Sequence, residues 1–575
     1  MHIQTQKLKK STYDVVICGA GLAGLTLARQ LKLSQPELTI ALIDRQTRPL
    51  PIATHKVGES TVEVGAHYLC TTLQLTDYFA KNHLPKLGLR YFFGAVTQPF
   101  HYRPEFGSIQ FPPIASYQID RGRLETDLRH MALDMGITLL EGYVVQTIEL
   151  VTDDTPHQIR VLKHTEQITQ ILQARWVVDA LGRRRFLQKQ LGLTKGQRGH
   201  CSAVWLRLAG RIDVSDLVPP TRHTWHDRVP HNKRYYSTNH LVGHGYWVWL
   251  IPLASGHTSV GLVTDETIHA FKHYHTYLKL LDWLRRYEPK LAAYLQTETP
   301  VDFKGMRRYS YSSKQLFSTQ RWACIGEAGV FPDPLYSPGI NMIGFANTIT
   351  TEMIRCDKKS SLTLKQVDHY NHYMIGQNDV LTRNIQSGYL NFDNTAVATA
   401  KLLWDITAAW SLNVPQMFND SYLDQESYRK ISKISAGFSV LSKRMYRLFS
   451  AWFTQSQHRL TYDFFDYLSL NFLVELRDRN LQTGKTLEAL QADQVQNMAC
   501  IEMLAQVLFL LAVEDCLPDQ FPQFAEPIWL NAWRIDLDPE TWSDGLHQPW
   551  TPTRELQPLW QEIRSKFRLT GSATV

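Results

Sequence analysis

Three glycines near the start of the chain have the spacing of a loop that holds a phosphate group. Gly19, Gly21 and Gly24 fit the pattern G-x-G-x-x-G within YDVVICGAGLAGLTLARQL. In such a loop the first glycine permits a tight turn, the second lets a pyrophosphate approach the backbone, and the third lets the helix pack on the strand. LTIALIDR predicts a second strand ending at Asp44, at the distance where a carboxylate meets ribose hydroxyls. The spacing predicts a dinucleotide site.

Three later segments indicate which dinucleotide, because they resemble the nucleotide-contacting segments of flavoprotein monooxygenases. YQIDRGRLETDLRHMA starts as a strand and becomes a helix, and ARWVVDALGRR ends a strand in a D-A-x-G turn at Asp179. RWACIGEAG puts Glu327 after a third strand, where that class has the aspartate that binds the ribityl chain. The resemblance implies FAD. Since no second G-x-G-x-x-G occurs, we expect a separate NAD(P)H-dependent flavin reductase to supply reduced flavin.

The stretch GYWVWLIP carries two tryptophans one residue apart. On a strand, alternate side chains share a face, so Trp247 and Trp249 point the same way and the intervening residues point the other way. Pro252 cannot donate to a ladder, so the strand should end there. Taken alone, this pattern predicts a core strand with one aromatic face.

Four stretches together resemble the flavin-dependent halogenases, the family that includes tryptophan, phenol and pyrrole halogenases. They are GAGLAG, KVGES at 56–60, WVWLIP at 247–252, which fits W-x-W-x-I-P, and FPDPLYSPG at 331–339, which fits F-x-x-P-x-x-S-x-G. Their order and spacing cover roughly residues 10 to 350. W-x-W-x-I-P is the more specific motif, since flavin monooxygenases and reductases share the others.

The resemblance implies FAD-dependent chlorination or bromination of an electron-rich aromatic substrate. In the family, reduced FAD, oxygen and halide yield hypohalous acid, which crosses a tunnel to a lysine that relays the halogen. HLPKLGLRYFFG places Lys86 where that lysine belongs, although without the motif context it would be interpreted as a solvated turn lysine. Desolvation would favour its neutral, nucleophilic form. The tryptophan strand would wall the flavin from substrate and exclude water.

The residues expected to act fall into two groups. For catalysis they are Lys86, Trp247, Trp249 and Ser337. For binding or shaping the FAD site they are Gly19, Gly21, Leu22, Ala23, Gly24, Asp44, Arg45, Lys56, Gly58, Glu59, Ser60, Arg121, Asp179, Gly326, Glu327, Pro334, Gly339, Ile340 and Asn341.

Two positions depart from the family pattern. Tyr336 stands where tryptophan halogenases carry a glutamate, so the chain is more similar to the phenol, pyrrole and carrier-linked branch. Pro338 lies in the turn whose backbone N–H groups hold halide in the family, and proline has no N–H. The N–H of Gly339 would remain as a donor. Either the halide site is rebuilt or halide is not used.

That departure leaves two alternatives open. One is a flavin-dependent aromatic hydroxylase of the same fold, acting on a free, carrier-bound or polypeptide-bound substrate. The other is a flavoprotein without catalytic activity that serves as a scaffold in a biosynthetic complex. The intact glycine loop and the tryptophan pair argue against the scaffold.

The expected fold class is α/β with α+β character. Residues 1–360 should form an FAD-binding Rossmann-like domain of the flavoprotein monooxygenase type, with an antiparallel substrate sheet inserted at about 88–118 and 198–310. Residues 361–540 carry apolar residues at helical spacing and predict a helical C-terminal domain. Residues 541–575 are polar and proline-bearing, which predicts a loosely packed tail.

Composition limits the remaining function classes. The 575 residues carry a mild net charge of +7 with scattered basic residues, so no nucleic-acid surface is expected. The seven cysteines form no C-x-x-C pair, and His369 and His372 lack a third ligand, so no metal site is expected. The basic arm before the first strand has no signal-peptide pattern, and the longest apolar run is too short to span a membrane, so we expect a cytoplasmic protein. The aromatic substrate is expected to be a small molecule, free or tethered to an acyl carrier protein.

Overall fold

The first sheet carries the glycine turn at the end of a central strand. The computed structural model describes residues 11–51, 56–94, 99–163, 165–197, 199–524, 530–543, 545–546 and 556–570. The strands of this sheet, in spatial order, are Phe317–Ser318, Trp322–Cys324, Ile168–Asp179, Thr12–Cys18, Ile40–Asp44 and Thr138–Glu141. The four central strands and Thr138–Glu141 pair in parallel, which is typical of a Rossmann-like sheet. Two antiparallel strands, Tyr143–Glu149 and His157–Lys163, extend from its longest strand.

The second sheet contains the tryptophan strand at its centre. In spatial order its strands are Pro300–Met306, Cys201–Ala209, His257–Asp265, Tyr246–Pro252, Thr238–Gly243, Leu89–Phe92, Glu105–Gly107 and Phe464–Asp466. The predicted second sheet is therefore present, and most of its ladders are antiparallel as expected. Two ladders are parallel: Thr238–Gly243 with Leu89–Phe92, and Glu105–Gly107 with Phe464–Asp466.

Shorter ladders and the helices complete the architecture. Two-stranded ladders pair Leu84–Lys86 with Ser116–Gln118, Thr194–Gln197 with Tyr311–Ser313, and Leu460–Thr461 with Arg568–Leu569. The helices before residue 360 are Leu22–Ser34, Glu63–His67, Thr76–Asn82, Arg121–Asp134, Phe186–Gln190, His223–His226, Tyr277–Tyr287, Pro289–Leu295 and Gly339–Lys358. The later helices are Leu364–Gln386, Thr395–Ala408, Val414–Phe418, Gln425–Ile434, Phe438–Gln455, Asn471–Asn480, Leu487–Cys516 and Gln557–Arg564.

The C-terminal region is helical as predicted, but it is not separate from the rest of the molecule. Strand Phe464–Asp466 extends the second sheet, and one buried apolar cluster runs from Tyr13 to Phe567. The predicted division at residue 360 thus does not separate two cores, and the domain boundaries stay a prediction. The helix Leu487–Cys516 includes the longest apolar run of the sequence, and the residues of that run are mostly buried. Among the described residues, none of the helices combines the length and apolarity needed to cross a membrane.

The prediction of a loosely packed tail over 541–575 is wrong for the part that the structure describes near its end. Ile563 is completely buried and Phe567 is 4% exposed. Both side chains complete the apolar cluster, which explains why this polar stretch is ordered. Residues 547–555 and 571–575 of the predicted tail lie outside the described residues.

Candidate active site

The glycine turn has the geometry that its spacing predicts. Gly19 has φ +117°, and a Cβ there would lie 2.2 Å from the Ala180 carbonyl oxygen. A Cβ on Gly24 would lie 2.0 Å from the Gly19 carbonyl oxygen, whereas a Cβ on Gly21 would meet nothing within 4 Å. Helix Leu22–Ser34 starts directly after this open side, so the N–H groups of Leu22, Ala23 and Gly24 have no partner within the helix. The turn presents free donors to an open space.

Two predicted ribose contacts lie at the end of the neighbouring strand. Asp44 Oδ2 accepts from the Ala20 N–H at 3.0 Å and pairs with Arg129 at 3.0 Å, which fixes the carboxylate beside the glycine turn. Its side chain is 13% exposed, so part of it remains accessible. Arg45 is exposed. Their contacts with a ribose stay predictions.

The loop 56–60 is anchored by ion pairs that the sequence did not indicate. Glu59 is 3% exposed, and its Oε1 accepts from Arg207 Nε and Nη2 at 3.0 and 2.8 Å. Lys56 and Arg121 both pair with the buried carboxylate of Glu125. A buried carboxylate requires a cation beside it, and Arg207 fills that role for Glu59. Glu59 therefore anchors the loop through Arg207, and its contact with the cofactor stays a prediction. Gly58, with φ +86°, is exposed on the loop.

Asp179 is buried in the D-A-x-G turn. Its side chain is completely buried, and its two oxygens accept from the backbone N–H groups of Leu181 and Leu187 at 3.0 and 2.8 Å. Burial raises the pKa of Asp179 to about 6, while the N–H donors oppose that rise. The carboxylate holds the D-A-x-G turn together, and its contact with the cofactor stays a prediction.

The turn after the third strand keeps its predicted acid accessible. Gly326 has φ +53°, and Glu327 is half-buried. Burial raises the pKa of the Glu327 carboxyl, and the charge of Arg183 opposes that rise. Glu327 is thus placed where a ribityl hydroxyl could reach it, and its role stays a prediction.

The segment 331–339 leads into helix Gly339–Lys358, and Pro338 immediately precedes that helix. Ser337 has φ +55°, and its N–H donates to the Pro334 carbonyl at 2.9 Å. Pro338 precedes helix Gly339–Lys358 and accepts from the Met342 N–H at 3.0 Å. Gly339 is exposed, and a Cβ there would meet nothing within 4 Å. The first N–H groups of this helix, at Gly339, Ile340 and Asn341, lack partners within the helix.

Lys86 is buried and is held by hydroxyl and carbonyl groups. It ends strand Leu84–Lys86 with 1% exposure. Its Nζ donates to Ser60 Oγ at 2.8 Å and to the Thr61 carbonyl at 2.6 Å. Burial lowers the pKa of Lys86 from 10.5 to about 7, while the charge of Glu63 opposes that change. This is not a solvated turn lysine.

Ser60 contacts two other predicted site residues, Lys86 and Ser337, which lie in separate segments. Ser337 Oγ donates to Ser60 Oγ at 3.1 Å, and Ser60 Oγ lies 2.9 Å from Thr238 Oγ1. With two lone pairs accepting from Lys86 and Ser337, Ser60 keeps its own hydrogen for Thr238. Strand Leu84–Lys86, the KVGES loop and the turn before helix Gly339–Lys358 therefore meet at the Ser60 hydroxyl.

The tryptophan pair lies on the predicted common face. Trp247 and Trp249 are 2% and 6% exposed, with ring centroids 5.6 Å apart. Trp249 Nε1 donates to Ser259 Oγ at 3.1 Å, and a Cβ on Gly261 would lie 2.1 Å from the Trp249 indole. The glycine on the neighbouring strand makes room for that ring.

A buried polar cluster beside Ser337 was missed by the sequence predictions. Tyr336 Oη donates to Asp405 Oδ2 at 2.7 Å, Lys401 pairs with the same carboxylate, and Tyr446 Oη donates to Asp405 Oδ1 at 2.7 Å. Burial raises the pKa of Tyr336 well above 10, so its hydroxyl stays protonated. A signal was present: Lys401 and Asp405 stand four residues apart in an otherwise apolar helix, VATAKLLWDITAAW.

A separate surface cavity of about 630 Å³ lies among the C-terminal helices and is lined by Leu364, Lys365, Asp368, His369, His372 and Gln425. His369 Nε2 lies 2.8 Å from the Tyr422 carbonyl, and His372 Nδ1 lies 2.7 Å from the Asp368 carbonyl. Within the described ranges, His, Cys, Asp and Glu side chains do not gather in a group of three or more that could hold a metal. This cavity is not part of the site around Lys86.

Comparison with known proteins supports the family resemblance. The tryptophan halogenase family model matches residues 108–389, and an NAD(P)-binding Rossmann-like domain model matches residues 17–81. The flavin-dependent halogenase chlA of Dictyostelium discoideum is 29% identical to the chain over 372 residues. Over these residues the chain resembles the flavin-dependent halogenases. The predicted family resemblance is confirmed.

The similarity of the chain to its relatives is partial in length. Its alignment with the Dictyostelium protein covers 60% of each chain, so less than two thirds of that relative is matched. The 1H-pyrrole-2-carbonyl-[peptidyl-carrier protein] chlorinase of Pseudomonas fluorescens is 24% identical over 387 residues, which cover 62% of the chain and 79% of the relative. Among solved structures, halogenase PltM in complex with phloroglucinol and FAD has a TM-score of 0.59 at 15% identity, covering 90% of this chain and 99% of that one. This last match shows a shared fold.

Proposed function

We propose that the protein is an FAD-dependent halogenase that chlorinates or brominates an electron-rich aromatic substrate. The observation that carries the proposal is the convergence of Lys86, Ser60 and Ser337 at one buried hydroxyl. Ser60 and Ser337 belong to two of the stretches that resemble the halogenases, and Lys86 stands where the resemblance places the relay lysine. The similarity to named halogenases makes the hydroxylase alternative less favoured.

The residues of the glycine turn fit FAD. The open side of Gly21 and the N–H groups at the start of helix Leu22–Ser34 suit a pyrophosphate. Asn341 Oδ1 is buried without a hydrogen-bond partner in the described part of the chain, so a ligand group can satisfy it. When bound and reduced, FAD supplies, with oxygen, the oxidising equivalents that turn halide into hypohalous acid. A separate reductase would supply the electrons, because the sequence contains no second dinucleotide motif.

Lys86 has the protonation behaviour that a halogen relay needs. A pKa of about 7 gives both the ammonium and the amine appreciable populations near neutral pH. The amine form can take the halogen as a haloamine, and the ammonium can hydrogen-bond hypohalous acid and hold it toward the substrate. Ser60 and the Thr61 carbonyl fix Nζ in either form. Burial excludes the water that would consume the reagent.

The start of helix Gly339–Lys358 offers a rebuilt halide site. Pro338 has no N–H, and the Ser337 N–H is already bonded to Pro334. The N–H groups of Gly339 and Ile340 remain, at the positive end of a long helix dipole. Gly339 faces open space, so an anion can approach its backbone.

The substrate can be free or attached to a carrier. The Pseudomonas relative is named as a chlorinase of a pyrrole on a peptidyl carrier protein. The net charge of +7 would favour an acidic carrier.

A product assay tests this function. The protein is supplied with reduced FAD, oxygen and bromide, together with a panel of phenols, pyrroles, indoles and aryl thioesters, and products are detected by mass spectrometry. Lys86→Met is compared with Lys81→Met, since Lys81 is an exposed lysine on the preceding helix. We expect a bromine isotope pattern with the native protein and with Lys81→Met, and its loss with Lys86→Met.

Other outcomes would change the assignment. A product heavier by one oxygen, formed without bromide and with Lys86→Met, would establish the hydroxylase and explain Pro338. Bromination that survives Lys86→Met would make Lys86 structural. Failure of the protein to bind FAD would favour the scaffold.

A further inference from the structure

Two short turns beside the glycine loop pack against each other and bring an arginine near an accessible carboxylate. They are Gly182–Arg184, which follows the D-A-x-G turn, and Gly326–Ala328, which follows the third strand. A Cβ on Gly326 would lie 2.8 Å from the Cβ of Ala23, so the second turn borders the start of helix Leu22–Ser34. Both turns therefore lie beside the predicted FAD site.

Arg183 is the arginine that these turns hold in place. Its Nη1 donates to the Tyr309 carbonyl at 3.2 Å, and its Cζ lies 5.1 and 5.3 Å from the ring centroids of Tyr311 and Phe331. These two rings stack on each other, and Tyr311 Oη donates to the Glu327 carbonyl at 2.6 Å. The guanidinium is thus fixed over an aromatic pair that is bonded to the turn of Glu327.

Within the described ranges, neither Arg183 nor the carboxylate of Glu327 has an ion-pair partner. Both side chains are half-buried, so their polar groups keep accessible surface. The charge of Arg183 nevertheless acts on Glu327, as do the charges of Arg121 and Lys56, which are paired with Glu125. Cations therefore surround Glu327 without closing on it. Since half-buried charges are normally paired, the space between Arg183 and Glu327 suits a polar ligand.

The next two arginines in the sequence differ from Arg183. Arg184 is exposed, and Arg185 is 9% exposed and donates to the Ser312 carbonyl at 2.9 Å. Of the charges that act on Glu327, that of Arg183 has the largest effect. Arg183 is therefore the arginine of this run that supplies positive charge to the predicted FAD site.

The position of Arg183 favours the flavin ring over the pyrophosphate as the group on which its charge acts. The pyrophosphate is expected at the glycine turn, and the ribityl chain is expected at Glu327. Arg183 also contacts Phe331, which opens the segment that leads to Ser337 beside the Lys86 site. Its charge therefore lies from the ribityl position toward the site of the chemistry.

We propose that Arg183 is a further FAD-binding residue and makes the site bind reduced FAD more tightly than oxidised FAD. Near neutral pH, reduction adds two electrons and one proton to the flavin ring, so the reduced ring carries a negative charge that the oxidised ring lacks. An unpaired cation stabilises that charge. The proposal rests on the FAD site of the proposed function, but not on halogenation.

Such a preference matters because the chain contains no second dinucleotide motif. Reduced FAD must then be captured from solution, where oxidised FAD competes for the same site. A site that prefers the reduced form takes up the reactive cofactor and is less readily blocked by the spent one.

Affinities of the full-length protein for oxidised FAD and for dithionite-reduced FAD, measured without oxygen, test the proposal. We expect native protein to prefer reduced FAD by about 10-fold or more, which raises the midpoint potential of bound FAD by about 30 mV relative to free FAD. Arg183→Met should weaken binding of reduced FAD by about 10-fold. Binding of oxidised FAD should change by less than about twofold.

Two further variants separate the charge of Arg183 from its packing. Arg183→Lys keeps the positive charge but loses the planar guanidinium over Tyr311, and it should retain most of the preference for reduced FAD. Arg184→Met is the matched control, because it removes an exposed arginine from the adjacent position of the same turn. It should leave both affinities within about twofold of the native values.

The proposal fails if native protein binds both forms of FAD equally, if Arg183→Met weakens both by the same factor, or if Arg183→Lys or Arg184→Met loses the preference as Arg183→Met does. Native protein that binds neither form would contradict the FAD site itself, and the proposed function with it. A preference that depends on Arg183, without any brominated product, would contradict the proposed function alone. Bromination without such a preference would contradict this inference alone.

Discussion

Lys86 Nζ lies 2.8 Å from Ser60 Oγ, and this hydrogen bond joins a short strand to a loop 26 residues earlier in the chain. A lysine with 1% exposure has lost nearly all of its hydration. One hydroxyl and one carbonyl replace only part of that hydration, which is why the pKa of Lys86 falls. The protein therefore holds a destabilising ammonium at the centre of its candidate site.

The lowered pKa of Lys86 predicts that the stability of the protein depends on pH. The pKa of Lys86 is about 7 in the folded protein and near 10.5 when unfolded, so between these values the unfolded chain binds more protons. Stability from this group should rise from about pH 7 toward pH 10, by up to about 1.4 kcal/mol per pH unit. Lys86→Met should be more stable than native protein at pH 7 and should lose this part of the rise. Urea unfolding at pH 7, 8 and 9 measures it; parallel curves for the two proteins would contradict the lowered pKa.

The charge of Glu63 should affect the pKa of Lys86. It begins helix Glu63–His67, is half-buried, and its charge raises the pKa of Lys86. Glu63→Gln should therefore lower the pKa of Lys86 further and move the midpoint of the pH–rate profile for bromination to lower pH. A rate that falls above the midpoint assigns the work to the ammonium, and a rate that rises assigns it to the amine. The exposed Glu149→Gln is the control, and an equal shift there would remove Glu63 from the site.

A substitution at Gly261 can displace the Trp249 side chain while leaving the tryptophan itself unchanged. A Cβ on Gly261 would lie 2.1 Å from its indole, so Gly261→Ala must push the ring away from its position on the sheet. We expect roughly a doubling or more of hydrogen peroxide released per reduced FAD, because water gains access to the site. Overpacking should also cost about 1–3 kcal/mol of stability. Gly196→Ala, where a Cβ meets nothing within 4 Å, should leave peroxide release unchanged; unchanged release with Gly261→Ala would make the tryptophan strand ordinary core.

The sequence predicted those parts of the site that depend on local geometry. A glycine turn, a strand alternation and a helix start are decided by neighbouring residues, so Gly19, Gly24 and the common face of Trp247 and Trp249 were correct. Burial of Lys86 was expected only through the family resemblance, because its neighbours in sequence suggest a turn.

The sequence did not indicate the features in which a side chain or strand finds its partner far along the chain. Glu59 meets Arg207, 148 residues away, and no pattern in KVGES indicates that an arginine on the second sheet neutralises it. Tyr336 meets Asp405 across 69 residues. The strand Phe464–Asp466 joins the second sheet from within a helical region, which local periodicity cannot show. Long-range pairing determines these features.

Gly21 tests the cofactor site separately from the fold. A side chain at this position meets no protein atom within 4 Å, so Gly21→Val should fold normally. It should occupy the path of the pyrophosphate and lower FAD affinity by about 100-fold or more. Titration of the flavin absorbance and circular dichroism measure the two effects. Gly376→Val, also open and on an exposed helix position, should bind FAD normally; native affinity in Gly21→Val would remove the dinucleotide site.

The cluster beside Ser337 predicts a non-additive pair. Lys401 and Asp405 are 1% and 9% exposed, so Asp405→Ala would leave a buried ammonium without its carboxylate and should cost about 3–5 kcal/mol. Replacing both residues with apolar ones, in Lys401→Met with Asp405→Leu, should recover most of that loss, since no charge then remains buried. Denaturant unfolding of the single and double variants measures the coupling.

The exposed pair of Glu426 and Lys430 has the same four-residue spacing and serves as the control. Glu426→Ala should cost no more than about 1 kcal/mol, because water already solvates both charges. If Asp405→Ala costs no more than Glu426→Ala, the Lys401 ammonium has reached solvent and the cluster does not support the Ser337 turn. If the double variant is as unstable as Asp405→Ala, packing around Tyr336 and Tyr446, and not the charge, holds the cluster together.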